Sequence, residues 1–107
     1  MKIKFTKNTR IICDVKYRQV CAAEDFDDVK SGDLGGWVAE GALLPKSMEC
    51  WIEHDAQIGH DAQIGHDARI GQGAWVRRYA WIGHDAQIGQ GAWIRQYARI
   101  EQGAELK

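Results

Sequence analysis

No apolar run in this sequence approaches the roughly 20 residues needed to cross a bilayer, and the opening stretch MKIKFTKNTR has no apolar segment behind it. A chain of this kind is expected to be cytoplasmic, with no membrane partner. An excess of one charge is missing too: 14 Lys and Arg stand against 15 Asp and Glu, a net charge of −1. No global field therefore draws it toward nucleic acid or an acidic surface, and charge-driven binding has to come from local clustering. Cysteine is scarce and odd in number. Cys13, Cys21 and Cys50 match neither a zinc spacing nor an even disulfide framework, so they read as reduced thiols. There is no glycine-rich phosphate loop and no Ser or Cys with a base beside it in a recognisable motif. With 107 residues the chain holds one domain rather than two ordinary ones.

What is present is a metre. From Ile52 onward an aliphatic residue falls at every sixth position: Ile58, Ile64, Ile70, Val76, Ile82, Ile88, Ile94, Ile100 and Leu106. Two residues before each comes a small one, Cys50 and then Ala56, Ala62, Ala68, Ala74, Ala80, Ala86, Ala92, Ala98 and Ala104. Six is a multiple of the strand period and falls between helical turns, so a helix would smear the isoleucines around its circumference. In AQIGHD the Ala and Ile point one way and the Gln the other, a short strand, and Gly-His-Asp turns the corner. A longer period lies above this one. Residues 62–79, AQIGHDARIGQGAWVRRY, return almost letter for letter at 80–97, AWIGHDAQIGQGAWIRQY. Three hexads thus make a triangular coil of 18 residues, and coils stacked about 4.8 Å apart make a parallel β-helix.

The pattern I-G-x-x-A-x resembles the hexapeptide repeat of left-handed β-helix proteins over residues 50–107. The left hand comes from that resemblance, since parallel crossovers are usually right-handed. The segment Tyr17 to Leu44, and SGDLGGW (Ser31 to Trp37) above all, is similar to the leader of small bacterial and prophage hexapeptide-repeat proteins described as transferases or polymer-forming proteins. The metre runs backward into this leader through Val38 and Leu44, with Gly36 and Ala42 in the small positions. The eight-residue gap from Leu44 to Ile52 predicts a two-residue corner insertion. The expected organisation is a β-strand or hairpin cap in 1–35, set over the open N-terminal end of the prism, and an all-β left-handed parallel β-helix in 36–107. At the other end Glu101, Glu105 and Lys107 are expected to discourage end-to-end stacking.

Stacking at 18 residues makes three outward columns: Trp37, Gln57, Trp75 and Trp93; Leu43, Gln63, Trp81 and Arg99; Trp51, Arg69, Gln87 and Glu105. All five tryptophans point outward, and none is expected inside the prism. After the first column the corner departs from Gly-His-Asp and reads Arg77-Arg78-Tyr79, then Arg95-Gln96-Tyr97. Arg77 and Arg95 one rung apart repel by ~1 kcal/mol in water, so something should compensate unless they splay into solvent. Trp75, Arg77, Arg78, Tyr79, Trp81, Trp93, Arg95, Tyr97 and Arg99 form the candidate partner-binding edge. It suits a second protomer, an acidic protein surface or a phosphate-bearing ligand stacked on a ring.

His54, His60, His66 and His84 each precede Asp at a corner, and His66 stacks below His84. The family resemblance raises zinc, since γ-class carbonic anhydrases hold it between protomers with three histidines. A repeated turn phrase supplies no such set, and solvated turns are expected, with no metal or cofactor. Acyltransferases of the class use a histidine on an extruded loop and carry a C-terminal helix. This sequence has no extruded loop beyond Pro45 to Cys50, no histidine there and no such helix. It also lacks the outward threonine ladder of ice-binding β-helices. The expected function is therefore a non-catalytic binding or assembly module that forms a dimer or trimer or binds a protein, and, if phage-borne, blocks a host component. A hexapeptide-class acyltransferase is the alternative.

Overall fold

In a computed structural model, residues 1–106 are described; Lys107, one of the expected end charges, lies outside them. Two long strands come first, β1 (Ile3–Ile12) and β2 (Val15–Ala22), joined by Cys13 and Asp14 at φ 50° and 66°. Two consecutive left-handed residues give the turn whose twist matches a right-twisted hairpin. After β3 (Leu34–Ala39), ten two-residue strands follow at the hexad step: β4 (Trp51–Ile52), β5 (Gln57–Ile58), β6 (Gln63–Ile64), β7 (Arg69–Ile70), β8 (Trp75–Val76), β9 (Trp81–Ile82), β10 (Gln87–Ile88), β11 (Trp93–Ile94), β12 (Arg99–Ile100) and β13 (Glu105–Leu106).

These strands stack in parallel as three sheets around a solenoid of four coils, one sheet per face. The register pairs Trp37 with Gln57, Trp75 and Trp93 on the first face. Leu43, Gln63, Trp81 and Arg99 align on the second, and Trp51, Arg69, Gln87 and Glu105 on the third. All three expected columns form, which requires the corner between Leu44 and Ile52 to absorb the two extra residues. Met48 does so in the left-handed region at φ 58°. Inside, Ile52, Ile58, Ile70, Val76 and Ile82 have no exposed surface, and the alanines of the middle coils stand beside them equally buried. The small-then-large alternation fills a triangular prism whose corners leave room for one branched residue per side. Cys13 is exposed and Cys21 and Cys50 are buried; burial pushes the Cys50 thiol up to about 12.

Corner chemistry follows the hexad. The third residue of each three-residue corner adopts a left-handed conformation: Asp55, Asp61, Asp67, Asp85, Gly73, Gly91 and Gly103 lie at φ between 59° and 72°. Asp and Gly are the residues that accept this region at low cost.

The N-terminal hairpin also extends the first face. Its two arms reach from Ile3 to Ala22, and β2 pairs antiparallel with β3, so the first face continues as one six-stranded sheet in the order β1-β2-β3-β5-β8-β11. Only one end of the hairpin closes the prism. There Ile3, Val20 and Ala22 join the core, and the Lys2 and Ile3 amides donate to the Met48 carbonyl. An open sheet edge is more fully satisfied by another strand than by a lid, because each unpaired amide then finds a carbonyl.

The leader also covers two of the five outward tryptophans. Trp37 points outward yet is 8% exposed, beneath the Arg10 guanidinium at 4.2 Å and beside Tyr17. Trp51 is 6% exposed under Phe26, edge to face at 5.5 Å between ring centres. The loop that carries Phe26 is held down by Arg69, whose guanidinium lies 3.7 Å from Asp27 and 3.5 Å from Asp28. Trp75, Trp81 and Trp93 remain in the open.

Candidate binding surface

β8 and β11 place Trp75 and Trp93 on successive rungs, where the two indoles lie parallel within 1°, 5.6 Å between centres. Identical residues at an in-register parallel step have no other arrangement open to them unless one swings into solvent, and mutual stacking hides one face of each ring. Arg77 leaves the strand two residues after Trp75 and lies over both rings, 5.0 Å from the Trp75 centre and 5.9 Å from that of Trp93. That contact is the compensation required for two arginines a rung apart. Arg77 spreads its charge over indole faces, and Arg95 stands exposed above it. An open groove of about 580 Å³ is bounded by Arg77, Trp93, Arg95 and Gln96.

Around the corner come the tyrosines. Tyr79 and Tyr97 stack at 5.1 Å and 7°, and the edge of His60 meets the ring of Tyr79 at 6.2 Å. Both tyrosines occupy the corner position filled elsewhere by Asp or Gly, at φ 62° and 65°. A bulky residue there carries a backbone cost on the order of 1 kcal/mol that Asp and Gly largely avoid. The stack returns about as much, so the pair contributes little net stability. Tyr79→Asn/Tyr97→Asn is accordingly expected to leave the melting temperature unchanged or raise it by a few degrees. A loss beyond about 5 °C would show that the tyrosines are there to hold the corner.

The nine candidate residues divide into two groups. Trp75, Trp93, Arg77, Arg78, Arg95, Tyr79 and Tyr97 share the first face and its corner. Trp81 and Arg99 belong to the second face, where the Arg99 guanidinium lies 4.1 Å above the indole of Trp81. That pair borders a groove of about 500 Å³ which also takes in Leu43, Gln63 and His84. Two neighbours could not be foreseen from the metre. Arg10 extends the cation-on-indole arrangement to Trp37, and burial raises the pKa of the Tyr17 hydroxyl, with Cys13 adding to the rise and Arg77 opposing it. Both come from the hairpin, whose register no repeat dictates.

The histidines face their own turns. His54, His60 and His66 lie 3.1, 2.9 and 2.8 Å from the carboxylates of Asp55, Asp61 and Asp67. His66 and His84 stand on successive rungs with their rings 6.3 Å apart and tilted by 60°, and the His66 backbone amide donates to Nδ1 of His84 at 2.8 Å. Among the described residues no three His, Cys, Asp or Glu side chains come together as a metal-holding group.

Residues 49–78 match the family model described as bacterial transferase hexapeptide (six repeats). Those residues carry hexapeptide repeats within a β-solenoid. The chain is 41% identical over 39 residues to a protein of Escherichia coli (strain K12) named uncharacterized acetyltransferase YdcK. That similarity spans 36% of the solenoid chain and 12% of the relative's own length. The family match lies in the repeats, and repeats specify a scaffold before they specify a reaction.

Proposed function

We propose that this solenoid is a non-catalytic binding and assembly module, which self-associates or takes a protein partner through Trp75, Trp93, Trp81 and the Arg and Tyr residues between them. One observation carries the reading. The corner that follows the tryptophan rows abandons Gly-x-Asp for Arg-x-Tyr twice in succession, accepting strained backbone to set out two tyrosines that are 43% and 68% exposed. Strain retained at an exposed position, beside a contiguous aromatic surface rimmed by arginine, is the composition of an interface core. A phage-encoded inhibitor of a host component is the narrower form of this reading, resting on the leader's resemblance alone.

Trp93→Ala/Tyr97→Asn removes the two most exposed rings of the stacks without touching the core. If these are hot spots, each removal costs about 2 kcal/mol of association, about 30-fold, and the pair weakens it by up to about 10³-fold, read as mass by light scattering along a dilution series. An unchanged mass profile would refute self-association through this surface. Acyl transfer is the second reading, supported by the name of the Escherichia coli relative and by His84 at the rim of the Trp81–Arg99 groove. It requires saturable binding of acyl-CoA, and a flat titration into the millimolar range would end it.

A further inference from the structure

Four turns stack along the corner beside the tryptophan rows: Glu40-Gly41, His60-Asp61, Arg78-Tyr79 and Gln96-Tyr97. Their alignment is fixed by contacts from each turn to the next. Nδ1 of His60 lies 2.8 Å from the Glu40 carbonyl, the Tyr79 amide donates to His60 O at 3.1 Å, and the Tyr97 amide donates to Arg78 O at 3.3 Å. Gly41 takes part by having no side chain, since a Cβ there would fall 2.7 Å from Oδ1 of Asp61.

Along this edge the charge changes sign. The first two turns present Glu40 and Asp61; the third presents Arg78, and Arg95 leads into the fourth. Glu40, Arg78 and Arg95 make no ion pair among the described residues, and the one partner of Asp61 is His60 of its own turn. With rungs about 4.8 Å apart, the edge is a strip about 14 Å long, acidic at one end and basic at the other, with exposed tyrosine rings in its basic half.

A strip of this kind is complementary to itself when reversed. We infer that this corner is the seam of a dimer of the chain, its two-fold axis perpendicular to the solenoid axis and level with the gap between the second and third turns. The inference rests on the self-association reading above and adds the partner surface and its direction. In this arrangement the first turn of one copy meets the fourth of the other and the second meets the third, so Glu40 faces Arg95 and Asp61 faces Arg78, each contact made twice. Two copies running the same way would set arginine against arginine and carboxylate against carboxylate on this edge, which is repulsive. The hairpin supports the reversed arrangement. β2 pairs only as far as Tyr17 with Ala39, so its turn projects beyond the corner, carrying Asp14 and Ile11, which is 64% exposed. Reversal brings that tip toward the open end of the other copy's edge, where Tyr97 and Arg95 stand.

Charge exchange tests this directly. Arg78→Glu/Arg95→Glu makes the whole edge acidic. Glu40→Lys/Asp61→Asn removes the acidic half, with Asn chosen because it accepts the left-handed backbone of position 61. All of these residues are on the surface, and circular dichroism checks that both variants fold. Wild type is expected to reach twice the chain mass by light scattering. Each variant alone should associate at least 10-fold more weakly, and an equimolar mixture should regain the dimer as a mixed pair. If Glu40→Lys/Asp61→Asn dimerises like wild type, or the folded mixture stays monomeric, the reversed seam is wrong while self-association stands. A wild type that is monomeric at millimolar concentration overturns the seam and the self-association reading together.

Discussion

Ile70→Ala is expected to lower the stability of this solenoid by about 2–5 kcal/mol, roughly 10–25 °C in melting temperature followed by circular dichroism. Ile70 has no exposed surface and sits in register between Ile52 and Ile88. A solenoid core is one residue deep at each site, so neighbours one rung away are held at their own corners and cannot collapse into the gap. The same change at Ile100, on the last coil and only partly buried, should cost less than half as much. Equal losses at the two positions would mean that the core does not stack rung on rung.

Gly36→Val should be worse, leaving little folded protein or a melting temperature at least 15 °C lower. Gly36 stands where later hexads place alanine. Here an added Cβ would fall 2.5 Å from the Ala56 carbonyl oxygen, 2.7 Å from Cγ2 of Ile52 and 2.8 Å from the Glu53 carbonyl oxygen. Two of those three obstacles are backbone of the next coil, which cannot turn away as a side chain does. Gly73→Ala is the comparison. It sits at φ 72° with nothing within 4 Å of its Cβ position, so it should lose only about 1 kcal/mol from backbone strain. A Gly36→Val variant as stable as Gly73→Ala would show that the first coil does not press on the second. The two-glycine step in SGDLGGW has this origin, because at Gly35 a Cβ would likewise fall 2.5 Å from the Ile52 carbonyl oxygen.

The metre from Ile52 to Leu106 was enough to place every outward residue of the coils in its column, because a period of 18 allows one register and a slip would turn the isoleucines into solvent. The corner insertion was legible for the same reason: any other length would have broken the columns. The hand of the coil is not contained in that period and came from the hexapeptide resemblance. The tertiary structure decided what the leader does. It has no period, so its arms were free in register until β2 found the edge of β3; that pairing buried Trp37 and the Phe26 loop buried Trp51, while Trp75 and Trp93 in the column of Trp37 stay open. Sequence gave all five tryptophans the same outward position; only the fold of residues 1–35 over the first coils separated two that are packed from three that form a surface. Residues of a repeat are tied to their neighbours by translation along one axis, whereas the contacts of the leader depend on which edge and which rings lie nearest once the coils exist.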